Sequence, residues 1–253
     1  MSLLAGKIAM VTGAGQGVGR GIALALAKAG ASVLVVGRTE AKLLAVCAEI
    51  ESVGARAAPL LCDVSDLEAV GQTVNAAAAK FGGLDILVNN AYDGVFGPLL
   101  SLTDEGFQRG FVSGPFATFR LMVAAHPHLK ARGGGAIVNL GTSAAVRWDA
   151  ANYGAYSAAK EAVRALTRAA ACEWGADGIR VNTICPLANS PALDAWAKNR
   201  PEEAEAFFAT VPLHRIGDCE ADIGAAVVFI VSPAAAYLTG ATVPLDGGQA
   251  RFG

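Results

Sequence analysis

Residues 7–19 read KIAMVTGAGQGVG. An apolar, β-prone run ends in glycines at alternate positions, Gly13, Gly15, Gly17 and Gly19, and passes at once into the Ala/Leu-rich stretch GIALALAKAG (21–30). Strand, glycine loop and helix start together make a phosphate cradle. Backbone without β-carbons can approach an anion closely, and the unpaired N–H groups of a helix start point at it. A tight strand–helix turn alone rarely needs so many glycines. The spacing is not a strict GxGxxG, and the GK[ST] ending of a triphosphate-binding loop is absent, which disfavours a nucleotide triphosphatase.

The unit repeats along the chain. Apolar runs recur at SVLVVGR (32–38), LDILVNNA (84–91), GAIVNLG (135–141), IRVNTICP (179–186) and ATVPLDGG (241–248), with a weaker one at AAPLLCDV (57–64). They are continuous rather than alternating, as expected of strands covered on both faces. Between them lie longer segments of helical periodicity, several ending at glycine: Gly30, Gly54, Gly82 and Gly178. This alternation predicts an α/β fold, a single doubly wound Rossmann-type domain over 1–253 with a seven-stranded parallel sheet and helices on both faces. No linker or shift in composition marks a second domain.

Composition narrows the classes. The chain has 253 residues, 53% hydrophobic and 17% charged, which is globular and not disordered. A net charge of −2 argues against a nucleic-acid or anionic-membrane partner. Five scattered cysteines without a CxxC argue against a disulfide framework or a zinc site and fit a reducing, cytoplasmic setting. His126, His128 and His214 lack metal-ligand spacing, so no metal is expected. The N-terminal stretch is too short and poorly shaped for a signal peptide. Residues 223–245 carry no charge, but Ser232-Pro233, Gly240 and Pro244 break them. They read as a buried helix, a turn and a buried strand rather than a membrane span.

Several motifs in order resemble the classical short-chain dehydrogenases/reductases, over essentially the whole chain. TGAGQGVG (12–19) is similar to that family's cofactor loop, Cys62-Asp63-Val64 to its adenine contact, and Asn89-Asn90-Ala91 to its NNAG strand end. Tyr156 and Lys160 match its YxxxK pair, and Leu245–Gly248 its last strand end. The resemblance implies a dinucleotide held by Gly13, Gly15, Gln16, Gly17, Val18, Gly19, Asp63, Val64, Asn90 and Ala91. It adds Pro186 and Ser190 at the nicotinamide end, and a homotetramer assembled through long helices. The small Ala-rich face of 157–171 suits such packing.

Residues 150–175 read as a helix, so Tyr156 and Lys160 lie one turn apart, about 6 Å. An ammonium beside a phenol lowers the phenol pKa. Tyr156 is therefore the candidate general acid/base, with Lys160 tuning it and, by resemblance, binding the nicotinamide ribose. Tyr153 is a pocket wall. The family's third group is a serine that binds the substrate oxygen. Spacing back from Tyr156 selects Ser143, 13 positions before it, while counting forward from Asn139 selects Thr142. Ser143 is taken as the catalytic hydroxyl, with Thr142 as its alternative in the substrate pocket.

Three positions depart from the family. Phe111 stands where an asparagine that holds a proton-relay water is expected, Tyr92 replaces the glycine of NNAG, and Leu187 follows Pro186 in place of glycine. Phe111 and Tyr92 are placed in the substrate pocket, with Trp196 from an apolar lid over 187–215. A perturbed proton relay, not a dead enzyme, is the expectation. For the cofactor, Gly37-Arg38 ends the second strand where an acid would bind an NAD ribose. Arg38 can fork onto a 2′-phosphate, so NADP(H) is favoured over NAD(H), although Gln16 stands where many NADP-using relatives carry a second basic residue. The sum is an NADP(H)-dependent oxidoreductase acting on a ketone or secondary alcohol, with C=N or C=C reduction as a variant. The alternative from another class is a dinucleotide-binding sensor or inactive partner subunit with little turnover.

Overall fold

Residues of each apolar run alternate between two covered faces. Ala9 and Val11 join one hydrophobic cluster while Ile8 and Met10 join another, and Val33 and Val35 part from Leu34 and Val36 in the same way. That double burial is why the runs are apolar without a break. The computed structural model describes residues 2–147 and 152–250. All seven predicted runs are strands: β1 (Ile8–Thr12), β2 (Ser32–Gly37), β3 (Ala57–Leu61), β4 (Ile86–Asn89), β5 (Gly135–Leu140), β6 (Ile179–Pro186) and β7 (Thr242–Leu245). They form one parallel sheet in the order β3-β2-β1-β4-β5-β6-β7.

Helices cover both faces. On one lie α1 (Gly17–Lys28), α2 (Glu40–Ser52) and α9 (Ala225–Val231); on the other lie α3 (Leu67–Phe81), α5 (Ala117–Ala131) and α6 (Gly154–Trp174). The remaining helices are α4 (Asp104–Phe111), α7 (Pro191–Asn199) and α8 (Pro201–Phe208). α3 shows how local sequence sets these bounds. The Asp66 carboxylate accepts from the backbone N–H groups of Glu68 and Ala69 at 3.1 and 3.0 Å, and Gly82 ends the helix in the left-handed region at φ 85°.

The order reverses at β1. β2 and β3 extend the sheet to one side and β4 starts the other half, so a crevice opens at the carboxyl ends of β1 and β4, where ligands of open α/β sheets bind. The Thr12 hydroxyl fastens the two strand ends. It accepts from the backbone N–H groups of Asn90 and Ala91 at 3.0 and 3.1 Å and donates to the Val88 carbonyl at 3.3 Å.

Two local expectations are corrected. β7 is an edge strand whose residues are half-exposed or exposed, not a buried one, because only β6 pairs with it. The helix read over 150–175 begins at Gly154, with Tyr153 at its N-cap; residues 150 and 151 lie outside the described part. Among the described residues no helix is long and apolar enough to cross a membrane. α4 and α5 are joined by a π-helical turn, Val112–Phe116, around the buried Pro115. Proline has no N–H to donate, and a widened turn absorbs the loss without breaking the helix.

Candidate active site

The glycine loop, the ends of β2 and β4, and the start of α7 enclose a cleft of about 450 Å³. Its chemistry suits a dinucleotide. No side chain caps the N-terminus of α1 and no acid lies in its first turn, so free backbone donors and the positive end of the helix dipole face the cleft. The loop cannot carry β-carbons. One on Gly13 would lie 2.6 Å from the Asn90 amide nitrogen, and one on Gly19 would overlap the Gly13 carbonyl oxygen. Asn90 braces the loop by donating to the carbonyls of Thr12 and Gly13 at 2.8 and 3.1 Å. Gly19→Ala is therefore expected to cost about 1–3 kcal/mol by overpacking and to abolish dinucleotide binding, read by thermal unfolding and by titration.

All the predicted residues at the adenosine end line this cleft: Gly15, Gln16, Gly17, Val18, Arg38, Asp63 and Val64. So do Ala91 and Ser190, although the Ser190 hydroxyl is also the N-cap of α7, accepting from Leu193 N–H at 3.3 Å. Pro186 ends β6 opposite Leu245. Lys42, which the sequence reading passed over, is the second basic group. It reaches from α2 into the same cleft and donates to the Gln16 side-chain oxygen at 2.5 Å. Its spacing of four from Arg38, across a helix start, was the available signal.

The candidate catalytic pair lies beside this cleft, next to Tyr92 of its lining. Lys160 is only 4% exposed and donates to the Leu140 carbonyl at 2.8 Å, at the end of β5. Its ammonium stands 4.8 Å from the Tyr92 ring centroid and 5.8 Å from that of Tyr156. Burial lowers its pKa to about 8. Tyr156 is half-buried.

Tyr156 is not made more acidic in the protein alone: burial pushes it up to about 12, the nearby Thr142 hydroxyl opposes the rise, and Lys160 donates to the Leu140 carbonyl. The Ser143 hydroxyl is engaged by an acid. It donates to the buried Asp246 carboxylate at 2.5 Å, while the Thr142 oxygen accepts from Ala144 N–H at 3.2 Å and keeps its proton free to donate.

Residues 13–250 match the family described as Enoyl-(Acyl carrier protein) reductase. A 12alpha-hydroxysteroid dehydrogenase of Clostridium sp. is 39% identical over 259 residues, covering 99% of each chain. A putative short-chain alcohol dehydrogenase from Sinorhizobium meliloti superposes with a TM-score of 0.93 at 38% identity, covering 98% of each chain. The chain belongs to the classical short-chain dehydrogenase/reductase family. It is an oxidoreductase acting on CH–OH or C=O groups with a nicotinamide cofactor. Another solved relative, a 7 alpha-hydroxysteroid dehydrogenase complexed with NADH and 7-oxo glycochenodeoxycholic acid, is 33% identical with a TM-score of 0.93, covering 99% of this chain and 97% of that one.

In this short-chain dehydrogenase/reductase the departures from the family pattern fit one another. The Tyr92 ring meets Tyr156 edge-on at 5.1 Å and has room because Gly94, Gly110 and Gly114 face it; a β-carbon on Gly114 would lie 3.2 Å from the ring. Tyr153 packs edge-on to Phe96 at 5.7 Å, and Phe96 in turn lies 5.2 Å from Tyr156, so the rings of Tyr92, Phe96 and Tyr153 surround Tyr156. Phe96 was not singled out from sequence, where nothing marks it apart from its neighbours. Phe111 stacks on Phe107 at 4.9 Å and meets Phe116 at 6.4 Å, both exposed, just before the π-helical turn. Trp196 packs against Phe207 and Phe208 at 5.7 and 6.3 Å, and Arg147 lies 5.1 Å over the Phe207 ring. Pro186-Leu187 is tied into the sheet edge, Leu187 N–H donating to the Leu245 carbonyl at 2.9 Å. Among the described residues no group of three His, Cys, Asp or Glu side chains could hold a metal ion.

Proposed function

We propose that the protein is an NADP(H)-dependent carbonyl reductase or alcohol dehydrogenase whose substrate carries its ketone or secondary alcohol on a bulky apolar ring system. The observation that carries this reading is Tyr156, its ring 5.8 Å from the buried Lys160 ammonium and 5.1 Å from Tyr92, which lines a cleft that also holds Arg38 and Lys42. The bound nicotinamide supplies or accepts the hydride. Tyr156, held neutral by burial, donates its proton to the developing alkoxide, and in the reverse direction takes one back. Thr142, rather than Ser143, holds the substrate oxygen by donating its hydroxyl proton. Lys160 holds the ribose and keeps a positive charge under the phenol ring.

The rings of Tyr92, Phe96 and Tyr153 favour an apolar skeleton, as does the aromatic cluster of the lid, which we assign to 187–215. The hydroxysteroid dehydrogenases among the relatives act on molecules of that kind. Five free cysteines and the exposed Phe116, Phe119 and Val123 on or beside α5 support a cytoplasmic homo-oligomer, by family resemblance a tetramer.

The direct test is cofactor consumption with NADPH and NADH against keto-steroids, small ketones, diketones and cyclic imines. Turnover of ring ketones with NADPH supports the reading. Cofactor binding without turnover of any member replaces it with a sensor. Arg38 carries the cofactor preference. Arg38→Ala is expected to weaken NADPH binding roughly tenfold to a hundredfold, the worth of a charge-assisted hydrogen bond, while NADH binding stays near its wild-type value. Tighter binding of NADH than NADPH by the wild-type protein overturns the assignment.

A further inference from the structure

We propose that Asp93 is a cofactor-selectivity residue, an internal anion that occupies Arg38 until a 2′-phosphate displaces it. This rests on the reading that Arg38 takes that phosphate. The Arg38 guanidinium is not idle in the cleft. Its Nη1 lies 3.0 Å from Asp93 Oδ2 and 3.8 Å from Asp63 Oδ2, and both acids line the cleft with it. A phosphate arriving at Arg38 therefore meets a site that already holds an anion.

Asp93 is built to stay when Arg38 leaves. Its other oxygen accepts from Arg109 on α4 at 2.7 Å. Its backbone N–H donates to the Ser113 hydroxyl oxygen at 3.0 Å, and its carbonyl lies 2.7 Å from that hydroxyl, within reach of its proton. Ser113 is buried in the π-helical turn, so Asp93 is anchored on two sides independent of Arg38. The Arg109 hydrogen bond, with that of Arg38 behind it, holds the Asp93 carboxyl below the usual carboxylate range, so the group is charged at any working pH. When the 2′-phosphate takes Arg38, Asp93 keeps Arg109 and no buried charge is stranded. The exchange nevertheless has two costs for a phosphorylated cofactor: an ion pair is broken, and a fixed carboxylate remains near the phosphate. A cofactor with a free 2′-hydroxyl meets neither. Asp93 thus narrows a preference that Arg38 and Lys42 would otherwise make wider.

The test is Asp93→Asn, which keeps an acceptor for Arg109 and the backbone bonds to Ser113 but removes the charge. NADPH and NADH dissociation constants are measured by fluorescence titration for wild type, Asp93→Asn, Arg38→Ala and the double variant. Asp93→Asn is expected to bind NADPH about two- to fivefold tighter, the scale of one exposed ion pair, with NADH unchanged. The gain is expected to shrink as salt rises and to be smaller, though not zero, when Arg38 is already alanine. Unchanged or weaker NADPH binding in Asp93→Asn overturns the proposal, as does equal tightening of NADH or a gain undiminished in the double variant. If Arg38→Ala itself leaves NADPH binding intact, the phosphate reading is what has failed.

Discussion

Tyr156→Phe is expected to lower kcat by about 10²- to 10⁴-fold, the usual worth of general acid–base catalysis, with little change in dinucleotide affinity or in the thermal midpoint. The ring makes the packing contacts with Tyr92, Phe96 and Tyr153, and phenylalanine keeps them. The cofactor cleft is lined by other residues. What disappears is one hydroxyl. Steady-state kinetics beside a cofactor titration separates the two effects. Turnover within a fewfold of wild type would remove Tyr156 from the chemistry, and parallel loss of cofactor affinity would make it a structural residue.

The second large effect distinguishes two adjacent hydroxyls. Thr142→Ala is expected to reduce kcat by roughly 10²- to 10³-fold, as for the loss of one oxyanion-type donor, with little effect on stability. Thr142→Ser keeps the hydroxyl and is expected to restore most of the rate. Ser143→Ala removes a buried partner of Asp246, whose carboxylate keeps the N–H groups of Gly248 and Ala250 at 3.0 and 3.1 Å. That variant is expected to lose about 1–2 kcal/mol of stability and much less of its rate. The reverse ranking of the two alanine variants in kcat would return the catalytic role to Ser143.

The sheet was legible because its cause is local and repeated. A strand buried on both faces has to be apolar at every position, and β1, β2 and β5 say so directly. The glycine loop was legible for a similar reason, since β-carbons at Gly13 and Gly19 have no room. What sequence left open depends on partners far along the chain. That the Ser143 hydroxyl is taken up by Asp246, 103 positions later, is something no spacing rule contains. That Phe111 stacks on Phe107 and Phe116 depends on how α4 meets the π-helical turn after it, which a period of 3.6 does not reveal. Lys42 was missed because a lysine early in an exposed helix looks like any other until the helix is docked beside the glycine loop. The tuning of Tyr156 had the wrong sign because proximity along a helix does not set where an ammonium points, and Lys160 found a carbonyl.

The bond between Ser143 and Asp246 also orders events during synthesis. The glycine loop, Tyr156, Lys160 and Thr142 all emerge well before Asp246, yet the loop bearing Thr142 gains its buried anchor only when β7 has paired with β6 and brought that carboxylate in. Vectorial folding can assemble the first half of the sheet early. A chain that stops short of residue 246 would lack that anchor for the loop after β5.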